Sequence, residues 1–147
     1  MFSKAEAQKI KHEFWVAFAE AYPRKWLLYD TKIKDVSLKF YADNKKAQVM
    51  LEIAPKEDHL RTIYYEKIES LKAILLEDFL PEAVFEKDFY LDTGKAVSRI
   101  WVELNGISIF NQASWAAIFR FFNIHMDLLE RFFYEYEDYI KDLEINT

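Results

Sequence analysis

The sequence predicts an α+β domain of order αββαββα: a four-stranded, mainly antiparallel sheet of two hairpins packed against helices and closed by a long aromatic C-terminal helix. Three observations predict it. Two pairs of segments alternate apolar and polar residues across a polar turn. Three other segments repeat their apolar residues at steps of three and four. Only two glycines and three prolines interrupt 147 residues, which favours long elements and short connections.

The first helix starts at Ser3, an N-cap with Glu6 three residues on in the capping-box pattern, and runs to about Tyr22, where Pro23 stops it. Its apolar face is Ile10, Phe14, Ala17, Phe18 and Ala21, widened by Trp15 and Tyr22. Val36, Leu38 and Phe40 then alternate with Ser37, Lys39 and Tyr41. After the turn Asp43-Asn44-Lys45-Lys46, Ala47, Val49, Leu51 and Ile53 alternate with Gln48, Met50 and Glu52, giving a hairpin with one dry face. Helical spacing returns from about Glu57 to Phe79 through Leu60, Ile63, Tyr64, Ile68, Leu71, Ile74 and Leu75, and Pro81 ends it.

In the second hairpin Phe85, Phe89 and Leu91 are expected on one side of the first strand. Asp92-Thr93-Gly94-Lys95 turns, and Ala96, Ser98, Ile100, Val102 and Leu104 return on one side of the second. Asn105-Gly106 breaks the chain, and Asn111 is a reasonable cap for the last helix, which extends to Asp142. That helix carries two apolar stripes. Trp115, Ile118, Phe122, Met126, Leu129, Phe133, Tyr136 and Ile140 form one, expected to pack on the sheet; Phe121, Ile124, Leu128 and Phe132 form the other, expected to face the first two helices or a second copy of the chain.

At this length one domain, residues 1–147, is expected, and 52% hydrophobic with 18% aromatic content argues for a packed core. An internal echo divides it further. Phe40-Tyr41-Ala42-Asp43-Asn44-Lys45-Lys46-Ala47 matches Phe89-Tyr90-Leu91-Asp92-Thr93-Gly94-Lys95-Ala96 at five of eight positions, which points to two αββ units, 3–54 and 57–104, followed by the helix 111–142. The bland alternative is ordinary strand-and-turn composition.

Composition also limits the chemistry. No cysteine means no disulfide, no thiolate metal site and no cysteine nucleophile, and fits a reducing cytoplasm. The charged start Met1-Phe2-Ser3-Lys4-Ala5-Glu6 lacks the apolar stretch of a secretion signal, and no run is long and apolar enough to span a membrane, so a cytoplasmic protein without membrane contact is expected. The net charge of −5 hides an asymmetry: residues 1–56 hold eleven Lys and Arg against seven Asp and Glu, the remainder nine against eighteen. A basic half can meet phosphate, but without an Arg-rich run the signal is weak.

No catalytic, metal-binding or cofactor motif emerges. His12, His59 and His125 stand apart, and His12-Glu13 cannot open a zinc-protease helix because Val16 occupies the place of the second histidine. Asp35, Glu52 and Lys56 come nearest to a nuclease triad. Lys56, however, lies four residues beyond Glu52 and across Pro55, so the strand cannot bring both to one face. Both glycines are isolated, and no serine occupies a nucleophile elbow.

The outward face of the sheet is chemically richer. Lys39, Tyr41, Met50, Glu52, Tyr90, Arg99, Trp101 and Glu103 mix aromatic planes with both signs of charge, and Lys39, Tyr41, Met50, Arg99 and Trp101 form the candidate interaction surface. Burial is the commoner fate of such a face, with the last helix the cover at hand.

The opening helix with Phe14-Trp15 and Phe18, Pro23 followed by Trp26, the strand Val49-Met50-Leu51-Glu52-Ile53, Trp101, and the closing helix from Trp115 through Leu128, Leu129 and Phe132 together resemble the bacterial domain of unknown function 4268 family. The similarity spans nearly the whole chain. Some members carry this domain behind a restriction-endonuclease-like domain, so the resemblance implies an accessory role near nucleic acid; it brings no catalytic residues. Two functions are therefore expected. The first is a non-enzymatic interaction module, working as a homodimer through the stripe Phe121, Ile124, Leu128 and Phe132 or with a protein partner. The alternative is a nucleic-acid-associated accessory domain that contacts phosphate through Lys32, Lys34, Lys45 and Lys46 and uses Lys39, Tyr41 and Trp101 beside them.

Overall fold

The computed structural model describes residues 2–142. Helix α1 (Lys4–Ala21) is followed by strands β1 (Val36–Ala42) and β2 (Lys46–Ile53), helices α2 (Asp58–Glu69) and α3 (Lys72–Asp78), strands β3 (Val84–Tyr90) and β4 (Ala96–Asn105), a single 3₁₀ turn (Gln112–Ser114) and helix α4 (Trp115–Lys141). The four strands form one antiparallel sheet in the order β1-β2-β4-β3. The fold is the expected α+β arrangement, with one helix more. The segment read as a single helix from Glu57 to Phe79 turns at Ser70–Leu71 into two, a break that carries neither glycine nor proline. Leu71 N–H donates to the Ile68 carbonyl at 2.9 Å, and the redirected α3 brings Phe79 edge-on to Phe132.

The local rules hold at most boundaries. Ser3 and Glu6 exchange both bonds of a capping box, at 3.1 and 3.2 Å. The Asp43 carboxylate accepts from the N–H groups of Lys45 and Lys46 at 2.8 and 2.9 Å and so shapes the first hairpin turn. Gly94 and Gly106 adopt φ of +87° and +76°, as the second hairpin and its exit require. Asn111 caps the 3₁₀ turn that leads into α4, not α4 itself, by accepting from Ala113 N–H at 3.1 Å.

The helices share one hydrophobic core with one face of the sheet. Leu38, Val49, Leu51, Ile53, Ile100 and Val102 point into it and meet Phe14 and Phe18 of α1, Ile68 of α2, Leu75 of α3, and Phe122, Leu129 and Phe133 of α4. The stripe of α4 expected on the sheet is the one that packs there. Its neighbour divides: Phe121 and Phe132 are buried within the chain, Leu128 is half-buried, and Ile124 is 45% exposed.

A β-bulge between Glu86 and Phe89 changes the second hairpin. Phe85 pairs with Ile100 on the core side, whereas Phe89 pairs with Val97 and points outward, with Tyr90 opposite Ala96 on the other side. The expectation that Phe85 and Phe89 share a face is thus wrong, and Tyr90 leaves the outward set. The one extra residue reverses the side-chain phase. Arg61 of α2, itself buried, holds the bulge: it donates to the Lys87 carbonyl, to Ser98 Oγ at 2.9 Å and to the Asp88 carboxylate at 3.0 Å. Phe40 and Phe89, equivalent in the sequence echo, therefore lie on opposite faces.

Candidate functional site

Among the described residues no helix covers the second face of the sheet, where α4 was the expected cover. Its buried apolar residues, Met50 and Val97, lie outside the main core cluster. The pairing sets it out in rows: Ser37, Glu52, Arg99 and Glu86; then Lys39, Met50, Trp101 and Val84; then Tyr41, Gln48 and Glu103. The central strand β2 is buried on this side by its neighbours' side chains, not by another layer, and Gln48, Met50 and Glu52 are all under 10% exposed.

Ion pairs between strands order these rows. The Glu52 carboxylate accepts from Lys39 Nζ at 2.7 Å and from Arg99 Nε at 2.8 Å. Burial pushes this carboxyl up, yet the hydrogen bonds from Lys39 and Arg99 outweigh it and hold the group below its ordinary value. The Arg99 guanidinium lies 4.2 Å from the centroid of Phe89, the ring that the bulge turned outward. Glu103 accepts from Gln48 Nε2 at 2.7 Å and stands 3.7 Å from Lys46 Nζ. At the hairpin end, Tyr41 donates to Asp43 at 2.8 Å, which raises the phenol's pKa and leaves its ring 40% exposed. Between these groups is a shallow cavity of about 240 Å³ lined by Tyr41, Lys46, Gln48, Met50, Phe89, Arg99, Trp101 and Glu103.

Lys39, Tyr41, Met50, Arg99 and Trp101 therefore share one face. The four lysines read as phosphate contacts do not come together: Lys32 and Lys34 precede β1 and Lys45 and Lys46 follow it, about 20 Å apart along an extended strand. Phe89 and Gln48 were not among the candidate residues. No short-range sequence signal places Phe89 on this face, because its phase depends on a bulge fixed by Arg61, 28 residues earlier.

The arrangement offers flat aromatic and thioether surface beside hydrogen-bonding groups whose charges are already paired, which suits binding better than proton transfer. Among the described residues no three His, Asp or Glu side chains are grouped to hold a metal ion, and no helix is long and apolar enough to cross a membrane.

Residues 10–137 match the family described as a domain of unknown function (DUF4268). The chain belongs to the DUF4268 family. The match runs from α1 almost to the end of α4 and takes in both hairpins of this chain. Neither curated proteins nor solved structures gave a match.

Proposed function

We propose that this DUF4268 chain is a non-enzymatic binding module of the bacterial cytoplasm that works as a homodimer and takes a protein partner on the open face of its sheet. One observation carries the reading: all four helices crowd one face, while the other presents an ordered aromatic and ionic layer with a cavity at its centre. A face left open in this way, with Trp101 and Tyr41 accessible among paired charges, has the composition of a recognition surface. The cations on it are engaged, Lys39 and Arg99 with Glu52 and Lys46 with Glu103, so a phosphate would have to displace a carboxylate that is already bonded. That favours a protein partner over the alternative, an accessory domain of a nucleic-acid-processing system, which would rely on the separated pairs Lys32, Lys34 and Lys45, Lys46.

The test places a photo-crosslinking side chain at Trp101 and, as a control, at Tyr134, which is exposed on α4. Position 101 is expected to yield a discrete protein adduct in cells and position 134 none. In parallel, single-stranded and duplex DNA are titrated at low salt, where phosphate contacts are strongest. Salt-sensitive binding that disappears in a Lys45→Glu, Lys46→Glu variant would replace the protein reading with the nucleic-acid one. No adduct from position 101 would remove it.

A further inference from the structure

The edge of the sheet carries a second kind of site, built from backbone. β1 is an outer strand. Asp43 N–H donates to the Lys46 carbonyl and Ala54 N–H to the Asp35 carbonyl. Antiparallel alternation then turns Ser37, Lys39 and Tyr41 toward β2, and the N–H and C=O groups of Val36, Leu38, Phe40 and Ala42 away from it. The segment before β1 covers the first of these outward groups. Val36 N–H donates to the Ile33 carbonyl at 3.2 Å, the Val36 carbonyl accepts the Thr31 hydroxyl at 2.6 Å, and Leu38 N–H donates to the Leu28 carbonyl at 3.0 Å. Past Leu38 N–H the cover stops. Among the described residues nothing bonds the Leu38 carbonyl, the Phe40 N–H and carbonyl, or the Ala42 N–H on this side. An apolar trough of about 260 Å³, bounded by Trp15, Leu28, Tyr29, Leu38, Lys39 and Phe40, runs beside these groups, so the chain leaves room there. Trp15 is 37% and Tyr29 74% exposed.

The open groups require an extended strand, and they are their own antiparallel complement. Around a two-fold axis at Phe40, each Phe40 exchanges both backbone bonds with its equivalent, and the ladder ends there on either side, because the Leu28 carbonyl fills the place that the Ala42 carbonyl of the partner subunit would take. The Leu38 N–H that would extend the pattern is the one Leu28 already holds. In this register Lys39 faces Tyr41 of the partner subunit, with Asp43 of the partner subunit on one diagonal and Lys39 of the partner subunit on the other.

We propose that two copies of this chain join by antiparallel pairing of β1 with β1, centred on Phe40, into one continuous eight-stranded sheet. This specifies the dimer of the reading above and rests on it. A two-fold axis perpendicular to the sheet leaves both open faces on the same side of the joined, twisted sheet, where a repeated or elongated partner can engage both.

Sedimentation of the full chain tests the proposal, with Ala42→Pro as the first variant. Proline at this position removes an outward N–H that makes no bond within the chain and sets its ring against the incoming strand, a substitution that edge strands accept. Tyr41→Lys is the second. It sets like charges opposite Lys39 of the partner subunit without touching the core, and it decides the matter if the proline variant does not fold. The unaltered chain is expected to be a dimer, and each folded variant, with an unchanged circular dichroism spectrum, to associate at least about tenfold more weakly. A dimer that both variants leave intact overturns the edge pairing and leaves the dimeric reading standing. A wild-type chain that stays monomeric at about 100 µM overturns both, while the sheet-face reading still answers to its own cross-linking test.

Discussion

Glu52 sets the character of the open face. It is 5% exposed on a central strand, where an unpaired carboxylate would cost several kcal/mol, and it is kept ionised by Lys39 on one side and Arg99 on the other. Its folded-state pKa lies below the ordinary 4.5. The direction of that shift fixes the pH dependence: the stabilisation is fully present above the unfolded value and is lost as pH falls through the lower folded value. Urea unfolding of the wild-type chain is therefore expected to weaken between roughly pH 5 and pH 3, and Glu52→Gln to flatten that limb while costing about 1–3 kcal/mol at neutral pH. An acid limb that is unchanged in the variant would show that other carboxylates govern it. Glu130 plays a comparable part on α4: at 4% exposure it accepts from Leu27 N–H at 2.6 Å and from Arg24, which ties the long segment before β1 to the helix layer. In that segment Leu28, Lys32 and Asp35 have φ of 45°, 63° and 64°, conformations that non-glycine residues keep only where their surroundings fix them.

At the scale of elements, α4 is closed at its C-terminus by a side chain from another helix. Lys67 of α2 is 5% exposed and donates to the Tyr139 carbonyl at 2.6 Å and to the Asp142 carbonyl, while its ammonium lies 4.7 Å from the Tyr139 ring centroid. A cation there satisfies terminal carbonyls and opposes the negative end of the helix dipole. Lys67→Met is expected to fray the last turn, so that amide exchange over residues 136–142 quickens several-fold while the sheet amides keep their protection; uniform protection across α4 would refute this role. The same scale shows what the sequence could carry. The capping box at Ser3, the turn at Asp43 and the alternation in β1, β2 and β4 are local, and they are present as read. The bulge in β3 is held by Arg61 and the start of β1 is covered by Leu28, contacts between separate segments that leave no local signature, and the turn at Ser70–Leu71 has neither glycine nor proline to mark it. For that reason the face could be composed from sequence through Lys39, Tyr41, Met50, Arg99 and Trp101, but its wall at Phe89 could not.

In the whole molecule, stability and recognition lie on opposite sides of one sheet. Phe122 is fully buried where α1, α4 and β1 converge; its ring lies 4.7 Å from Phe40 and 5.3 Å from Phe18, and it stacks on Trp15 at 5.7 Å. Phe122→Ala removes a large side chain that neighbours on three elements cannot collapse to replace, and a cost of about 3–5 kcal/mol is expected. For a domain whose total stability is of the order of 5–15 kcal/mol, that loss is enough to lower the thermal midpoint by many degrees. Trp101 is equally aromatic, but it stands half-buried at the cavity on the other face, bordered by solvent and by side chains already bonded to one another. Its removal leaves no enclosed void, so Trp101→Ala is expected to cost under about 1.5 kcal/mol and to spare the fold while it abolishes partner capture. Chemical denaturation of the two variants side by side makes the comparison. Similar losses for both would mean that Trp101 belongs to the structural core and that the open face owes its aromatic residues to packing. A large loss for Phe122 with a small one for Trp101 would leave Trp101 a surface aromatic that the fold itself does not require, on a strand that gives up little stability to expose it.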